Sequence, residues 1–310
     1  MVDDHNNREQ KIRSVVEALC NSKSYEAVAQ RPFHEMPMPS VDALRECVEL
    51  LRSIIFPGYF GVSEITPGTA GYYMGAALDR VARILAEQVK YGYCFTCPKE
   101  TSNECIRCEE RASAVVDRFI GELPRIRHLL VSDVQAAFEG DPAAPNYGEV
   151  IFSYPSIRAM TNHRIAHALN RLEVDLIPRI ISETAHSEVG IDIHPGAEIG
   201  ERFFMDHGTG VVIGETSEIG NNVRIYQNTT LGAVSFPLDE HGNPIKGIKR
   251  HPIVEDDVII YSNVTILGRV TIGRGSVIGG NVWLTRSVPP KSRIILETPK
   301  TANFENGSGI

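Results

Sequence analysis

The stretch "HPGAEIGERFFMDHGTGVVIGETSEIGNNVRIYQNTTLGA", residues 194–233, decides the fold. It lacks helical periodicity and has a period of six. Ile193, Ile199, Met205, Val211, Ser217, Val223 and Thr229 stand six apart, and Ile213, Ile219, Ile225 and Leu231 form a second row two residues on. The pattern returns in Val258, Val264, Val270, Ser276 and Val282, accompanied by Ile260, Ile266, Ile272, Ile278 and Leu284. Glycine directly follows several of these aliphatics, at Gly200, Gly214, Gly220, Gly273 and Gly279. Short β-branched runs and turn glycines at a fixed six-residue period predict a hexapeptide β-helix. Each short strand points its aliphatic inward, and stacked coils bury one continuous apolar column. Strands of a sandwich would instead carry turn signals about every 8–12 residues.

Two irregularities interrupt the repeat. The aliphatic–Gly dipeptide shifts phase by two between Ile199–Gly200 and Ile213–Gly214, on either side of "MDHGTG". "SFPLDEHGNPIKGIKRH", Ser235 to His251, then departs from the period altogether. A long patternless stretch inside a compact repeat array is more often functional than incidental.

Upstream the chain reads as helices. "VDALRECVELLRSII" sets Val41, Leu44, Val48 and Leu51 at helical spacing before Pro57 and Gly58, and "AALDRVARILAEQVKYG" repeats the pattern with Leu78, Val81, Ile84, Leu85 and Val89. "ERASAVVDRFIGEL", "HLLVSDVQAAF" and "IRAMTNHRIAHALNRLEVDLIPRIISE" continue it, with breaks expected at Gly121–Pro124 and Gly140–Pro145. The predicted class is α+β in two segregated parts: a helical domain over 1–185, a parallel β-helix over 186–290 with a loop at 235–251, and a tail over 291–310.

Composition narrows the function. A chain of 310 residues suggests about two domains, and 42% hydrophobic with 23% charged residues is ordinary for a soluble protein. A net charge of −8 removes any general electrostatic reason to bind nucleic acid or an anionic membrane. No apolar run reaches the roughly 18 residues a membrane span needs. The start, "MVDDHNNREQ", is charged and has no apolar segment behind it, so a secretory signal is not expected and the cytoplasm is the default location.

"CFTCPKETSNECIRC", residues 94–108, holds four of the six cysteines in two Cys-x-x-Cys pairs. Cys94, Cys97, Cys105 and Cys108 could supply a tetrahedral structural zinc site, although the gap between the pairs is shorter than in a zinc ribbon. Four reduced thiols at a helix junction, or an iron–sulfur cluster, are the other readings. Disulfides are disfavoured in a reducing compartment.

Inside the repeats the polar residues that stand out are Asp192, His194, Asp206, His207, Arg250 and His251. Any one of them alone reads as a solvated turn residue. Together they supply what an acyl transfer to a hydroxyl needs, because an alcohol has almost no alkoxide at neutral pH. A histidine can take its proton, and a carboxylate on the other ring nitrogen fixes the tautomer and stabilises the imidazolium.

"DIHPGAEIG", "FMDHGTGVVIGET", "NTTLGA" and "KRHP" occur in this order, and the chain from about Asp141 to Pro290 resembles the bacterial serine O-acetyltransferases, the first enzymes of cysteine biosynthesis. The resemblance implies a left-handed β-helix and transfer of an acetyl group from acetyl-CoA, a co-substrate, to L-serine. His207 would be the general base and Asp192 its carboxylate partner. Arg250 and His251 would meet the serine carboxylate, a task suited to the guanidinium fork. Asp206 and Asp141 would surround the amino group. Coenzyme A would lie along the coils near Gly232 and Ala233, with Arg269, Arg274, Arg286 and Lys291 as candidates for its phosphates. The family assembles as trimers through the β-helix, often paired into hexamers through the helical domains, with active sites between neighbouring β-helices. L-Cysteine commonly inhibits these enzymes at the serine site. Many members end in isoleucine, which binds O-acetylserine sulfhydrylase, and Ile310 ends this chain.

Two departures stand against the family pattern. "AVSFPLDEHGNPIKG" replaces the usual "GGTG", and "KSRIILETPK" replaces "AGVPARIVG" after "VPP". Three other readings remain open on the residues alone. A γ-type carbonic anhydrase would hold zinc on three of His186, His194, His207, His241 and His251. An acetyltransferase could serve homoserine or a sugar, and a trimeric scaffold would have no catalysis at all.

Overall fold

The computed structural model describes residues 2–21, 23, 37–96, 103–235 and 237–297. Helices fill the first part: α1 (Val2–Leu19), α2 (Val41–Ile55), α3 (Ala70–Thr96), α4 (Asn103–Gly140), α5 (Tyr147–Ser153), α6 (Pro155–Arg171) and α7 (Ile177–Val189). Helix α2 begins where the Ser40 hydroxyl accepts the Ala43 N–H, and it buries Leu44, Cys47, Val48, Leu51, Ile54 and Ile55 along one stripe. None of the described helices is long and apolar enough to cross a membrane.

Several boundaries differ from the sequence reading: α7 runs to Val189 rather than 185, and Arg293–Ile294 pairs into the coil where a tail was expected from 291. Gly121–Pro124 is not a break, because α4 runs 38 residues straight through Pro124. A proline inside a helix costs about 3 kcal/mol. Here Phe119, Leu123, Ile126, Leu130, Val134 and Ala137 are all buried on one face across that point, and their burial outweighs the lost hydrogen bond. Conversely, the apolar run over 157–183 divides into α6 and α7, with Glu173 at φ 58° and Leu176 at φ 60° between them. Pro178 takes the first turn of α7, where a missing N–H has no cost.

From Asp192 the chain winds as a left-handed parallel β-helix with three flat sides. The first side stacks β1 (Asp192–Ile193), β4 (Val212–Ile213), β7 (Thr230–Gly232), β10 (Thr265–Leu267) and β13 (Trp283–Leu284). The second stacks β2 (Glu198–Ile199), β5 (Glu218–Ile219), β8 (Ile253–Val254) and β11 (Thr271–Ile272). The third stacks β3 (Phe204–Asp206), β6 (Arg224–Tyr226), β9 (Ile259–Ile260), β12 (Val277–Ile278) and β14 (Arg293–Ile294). The hexapeptide aliphatics form the predicted column: Ile193, Ile213, Leu231 and Ile266 from one side, Ile219, Val254 and Ile272 from the next, and Met205, Ile225, Ile260 and Ile278 from the third are all buried. Corners need left-handed backbone, and Asn222, Asn228, Asp257, Asn263 and Asn281 supply it at φ 55–63°. Their side chains bond up the stack, Asn228 to Asn263 at 3.0 Å and Asn222 to Asp257 at 2.9 Å.

An ordinary turn of the coil takes 18 residues, as in the pairings of Val212 with Thr230 and Ile253 with Thr271. The first turn takes 20, since Asp192 pairs with Val212. The two surplus residues lie in the corner between β3 and β4, at "HGTGV" where the next turn has only "QNT". The stretch 235–251 is the second exception, looping out so that Thr230 pairs with Thr265, 35 residues on.

One buried ion pair joins the helices to the coil. Arg164 on α6 donates through Nε and Nη2 to both carboxylate oxygens of Asp133 on α4, at 2.7 and 2.8 Å. Its remaining donors reach the Ile199 and Gly200 carbonyls at 3.2 and 2.8 Å, and the Phe203 N–H donates to Asp133 at 3.0 Å. Asp133 is 0% and Arg164 4% exposed at the side chain. Asp133→Ala should lower stability by about 3–5 kcal/mol in chemical denaturation, because a charged guanidinium stays buried without its partner. The double variant Asp133→Leu/Arg164→Met should lose less than the two single losses added together.

Candidate active site

The surplus corner presents the first cluster. Asp206 ends β3, and His207 follows with φ 58°, a conformation histidine adopts uncommonly. Gly208 and Gly210 also have positive φ, and a Cβ on either would meet Ile191 Cδ1 at 2.7 Å or Asn228 Oδ1 at 2.1 Å. The two glycines therefore let the corner pack down against the coil while His207 stands out from it. The His207 side chain is 73% exposed and that of Asp206 20%, with Nε2 3.7 Å from Asp206 Oδ1.

Helix α4 delivers the next carboxylate. Gly140 sits so close to the coil that a Cβ would lie 2.7 Å from Arg224 Nη2 and 2.9 Å from Phe204 Cδ1. Arg224 in turn donates to the Gly140 carbonyl at 3.2 Å. Asp141 follows, accepting from the Tyr154 hydroxyl at 2.5 Å and the Ala143 N–H at 2.8 Å. The tyrosine hydrogen bond, then the Ala143 N–H, hold its carboxyl below the usual range, and a positive His207 adds to the effect. The Tyr154 phenol is pushed up by burial and by Asp141, and Asp206 also bears on it. Asp141, Tyr154, Asp206 and His207 thus form one electrostatic group.

A second cluster forms on another corner, where "GETSE", 214–218, underlies "KRH", 249–251. The Thr216 hydroxyl accepts from the backbone N–H of Arg250 at 2.9 Å and of His251 at 3.1 Å. The Thr216 N–H and hydroxyl both reach His251 Nδ1, at 3.1 and 2.9 Å. Glu215 takes Arg250 Nη2 at 2.7 Å, and Glu218 takes Lys249 Nζ at 2.6 Å. The His251 ring rests on Gly214, whose added Cβ would fall 2.0 Å from Cδ2. Burial, and then the charge of Arg250, lower the pKa of His251 to about 4.

Of the remaining residues singled out in the sequence, Arg269 and His194 border the second cluster. The carboxylate of Asp192 clusters with Glu183 and His186, their ligand-type atoms within 4.8 Å of one another. Among the described residues no hydrogen bond or ion pair joins Asp192, Arg250 or His251 to His207 of the same protomer. His194 is half-buried, with Nδ1 accepting from the Gly196 N–H at 3.0 Å, and burial lowers its pKa. Gly232 ends β7 and Ala233 follows it, partly exposed. Arg269 is committed to protein groups: it pairs with Glu218 and donates to the Thr216 and His251 carbonyls at 2.9 and 3.1 Å. It fastens the 249–251 segment, which leaves its guanidinium little freedom to receive a phosphate. Arg274 pairs with Asp256 at 2.5 Å, and Arg286 and Lys291 are exposed.

Of the cysteine set, Cys94 and Cys108 are buried, while Cys97 and the side chain of Cys105 lie outside the described residues, as does Ile310. Among the described residues no three histidines converge, and the one metal-capable group is Glu183–His186–Asp192. The γ-type carbonic anhydrase reading therefore finds no three-histidine set among the described residues of one protomer. Sequence reasoning overlooked Tyr154, Glu215 and Thr216 as site residues. "GET" was legible as a motif, but only the coil's register sets it beneath Arg250 and His251.

A parallel coil of hexapeptides with a histidine raised on one corner is the setting in which comparisons with known proteins point to a class of transferase. Residues 251–286 match the family model described as bacterial transferase hexapeptide (six repeats). The plasmid serine acetyltransferase of Synechococcus elongatus is 51% identical over 276 residues, spanning 88% of this chain and 86% of that protein. The serine acetyltransferase of Bacillus licheniformis is 46% identical over 182 residues, 59% of this chain and 80% of its own. The crystal structure of serine acetyltransferase 1 of Entamoeba histolytica in complex with L-cysteine superposes with a TM-score of 0.71 at 35% identity, covering 88% of this chain and 95% of that one. The chain belongs to the serine acetyltransferase family.

Tyr154→Phe removes the hydroxyl that stabilises ionised Asp141. Its titration midpoint, followed by carboxyl carbon NMR, should rise towards the ordinary aspartate value.

Proposed function

We propose that this protein is a serine O-acetyltransferase that converts acetyl-CoA and L-serine to O-acetyl-L-serine and CoA, supplying the first step of cysteine biosynthesis in the cytoplasm. The observation that carries this reading is the corner at Asp206–His207. The coil spends two surplus residues there to hold an imidazole outward, beside two carboxylates, in a chain 51% identical to a serine acetyltransferase.

In this mechanism His207 takes the proton of the serine hydroxyl as its oxygen attacks the thioester carbon. The tetrahedral intermediate collapses with loss of the CoA thiolate, and the imidazolium returns the proton to that sulfur. The substrate is a zwitterion, and the two clusters have matching signs. Asp141 and Asp206 suit the ammonium, with Asp141 held ionised by Tyr154. Arg250 and neutral His251 suit the carboxylate.

One protomer keeps these clusters on different corners of its coil, so the complete pocket forms where a neighbouring β-helix sets its 249–251 segment against the 206–207 corner. The same apposition would bring Asp192 to the His207 of the adjacent chain. A homotrimer, or a hexamer of two trimers, follows from this reading. Coenzyme A would lie along the coil past Gly232 and Ala233, between neighbours. Ile310 is proposed as the contact for O-acetylserine sulfhydrylase, and deleting it should abolish that affinity.

The deciding assay follows thiol release from acetyl-CoA with L-serine, homoserine and simple sugars. L-Serine should be the preferred acceptor, and a preference for homoserine or a sugar would overturn the assignment. His207→Asn should lower turnover by about 100- to 10,000-fold with the fold intact. Near-normal transfer by that variant would remove His207 from the mechanism.

A further inference from the structure

We infer that Thr216 is a positioning residue that sets the tautomer of His251 and anchors the backbone of Arg250. This rests on the reading above, in which those two side chains meet the substrate carboxylate. A backbone N–H can only donate, so the Thr216 N–H, 3.1 Å from His251 Nδ1, marks Nδ1 as the unprotonated nitrogen. The Thr216 hydroxyl uses its lone pairs on the N–H groups of Arg250 and His251, at 2.9 and 3.1 Å. Its single proton is then directed to the same Nδ1, 2.9 Å away. Every hydrogen-bonding capacity of that hydroxyl is used on residues 250–251. The neutral imidazole must carry its proton on Nε2, which makes no hydrogen bond among the described residues and remains the donor a carboxylate can use.

The surroundings keep the ring in this state. Burial lowers its pKa, Arg250, His194 and Arg269 oppose a further positive charge, and Glu215 favours it. Gly214 gives the ring its seat, because a Cβ there would lie 2.2 Å from Nε2. Position is set as firmly as protonation. Arg250 and His251 stand at the far end of the loop that begins at Ser235, and a loop of that length cannot by itself fix where its last residues fall. The Thr216 hydroxyl, with Arg269 bonding the Thr216 and His251 carbonyls, closes the loop onto the coil.

The test compares Thr216→Val, which deletes the hydroxyl, with Thr216→Ser, which keeps it. Thr216→Val should raise the KM for L-serine about tenfold or more while the KM for acetyl-CoA stays put, since unsatisfied N–H groups and a freed ring act on one substrate only. Thr216→Ser should restore most of the serine affinity. Independently of turnover, nitrogen NMR of the His251 ring should show the Nε2–H tautomer in the unaltered protein, and a shifted Nδ1 resonance with a raised pKa in Thr216→Val, which keeps the backbone N–H on Nδ1 but loses the hydroxyl. An unchanged serine KM, or an unchanged ring spectrum, in Thr216→Val would overturn the inference. So would equal increases in both KM values that Thr216→Ser fails to rescue, because they would mark a purely structural residue. If the unaltered protein does not acetylate serine, the function fails and the ring spectra alone decide the role of Thr216.

Discussion

The structure depends first on the buried pair of Arg164 and Asp133. A guanidinium and a carboxylate withdrawn from water are tolerated only when nearly every donor and acceptor is met. Here the coil supplies what the helices lack: two carbonyls of the β2 corner for Arg164 and the Phe203 N–H for Asp133. The ion pair therefore cannot be satisfied unless the first turn of the coil is seated against α4 and α6. That seating carries the end of α4 onto β3, where Gly140 packs against Phe204 and Arg224. Asp141 reaches the His207 corner as a consequence.

The coil itself is a regular object whose regularity is useful where it fails. Eighteen-residue turns keep aliphatics inward and asparagines at the corners, and nothing in that pattern has a place for a reactive side chain. Both departures from it carry residues of the proposed site. Two extra residues raise His207 away from the column, and the long loop brings Arg250 and His251 back over a strand connection from the preceding turn. Each departure is held by close packing: glycines at 208 and 210 in one case, and Gly214 with Thr216 in the other. The cost of irregularity is thus confined to corners, where strand pairing is not interrupted.

In the proposed reading the two clusters differ in sign and so suit a zwitterion. The acidic one is partly buried, and hydrogen bonds lower the carboxyl of Asp141 below its ordinary range. The other pairs an arginine, already balanced by Glu215, with an imidazole kept neutral by burial. A carboxylate arriving there meets donors that do not have to change protonation state. Since the clusters occupy separate corners of one coil, assembly and catalysis are coupled in this reading.

The period of six, the inward aliphatics, the surplus at "MDHGTG" and the long loop were legible in the sequence, because each is a pattern in chain order that backbone geometry converts directly into strands and corners. His207, Asp206, Arg250 and His251 stood out for the same reason, being polar residues at breaks in an apolar repeat. The continuity of α4 through Pro124 was not legible: a local rule says break, and only the burial of Phe119 to Ala137 on one face overrides it. Tyr154 and Thr216 were hidden too, since neither is unusual beside its chain neighbours. Their roles arise from contacts with Asp141, 13 residues away, and with His251, 35 away. The sequence by itself determined the repeat and where it breaks. Only the tertiary structure decided which groups face each other across those breaks, because hydrogen bonds and burial act through space and the linear order does not encode the distance.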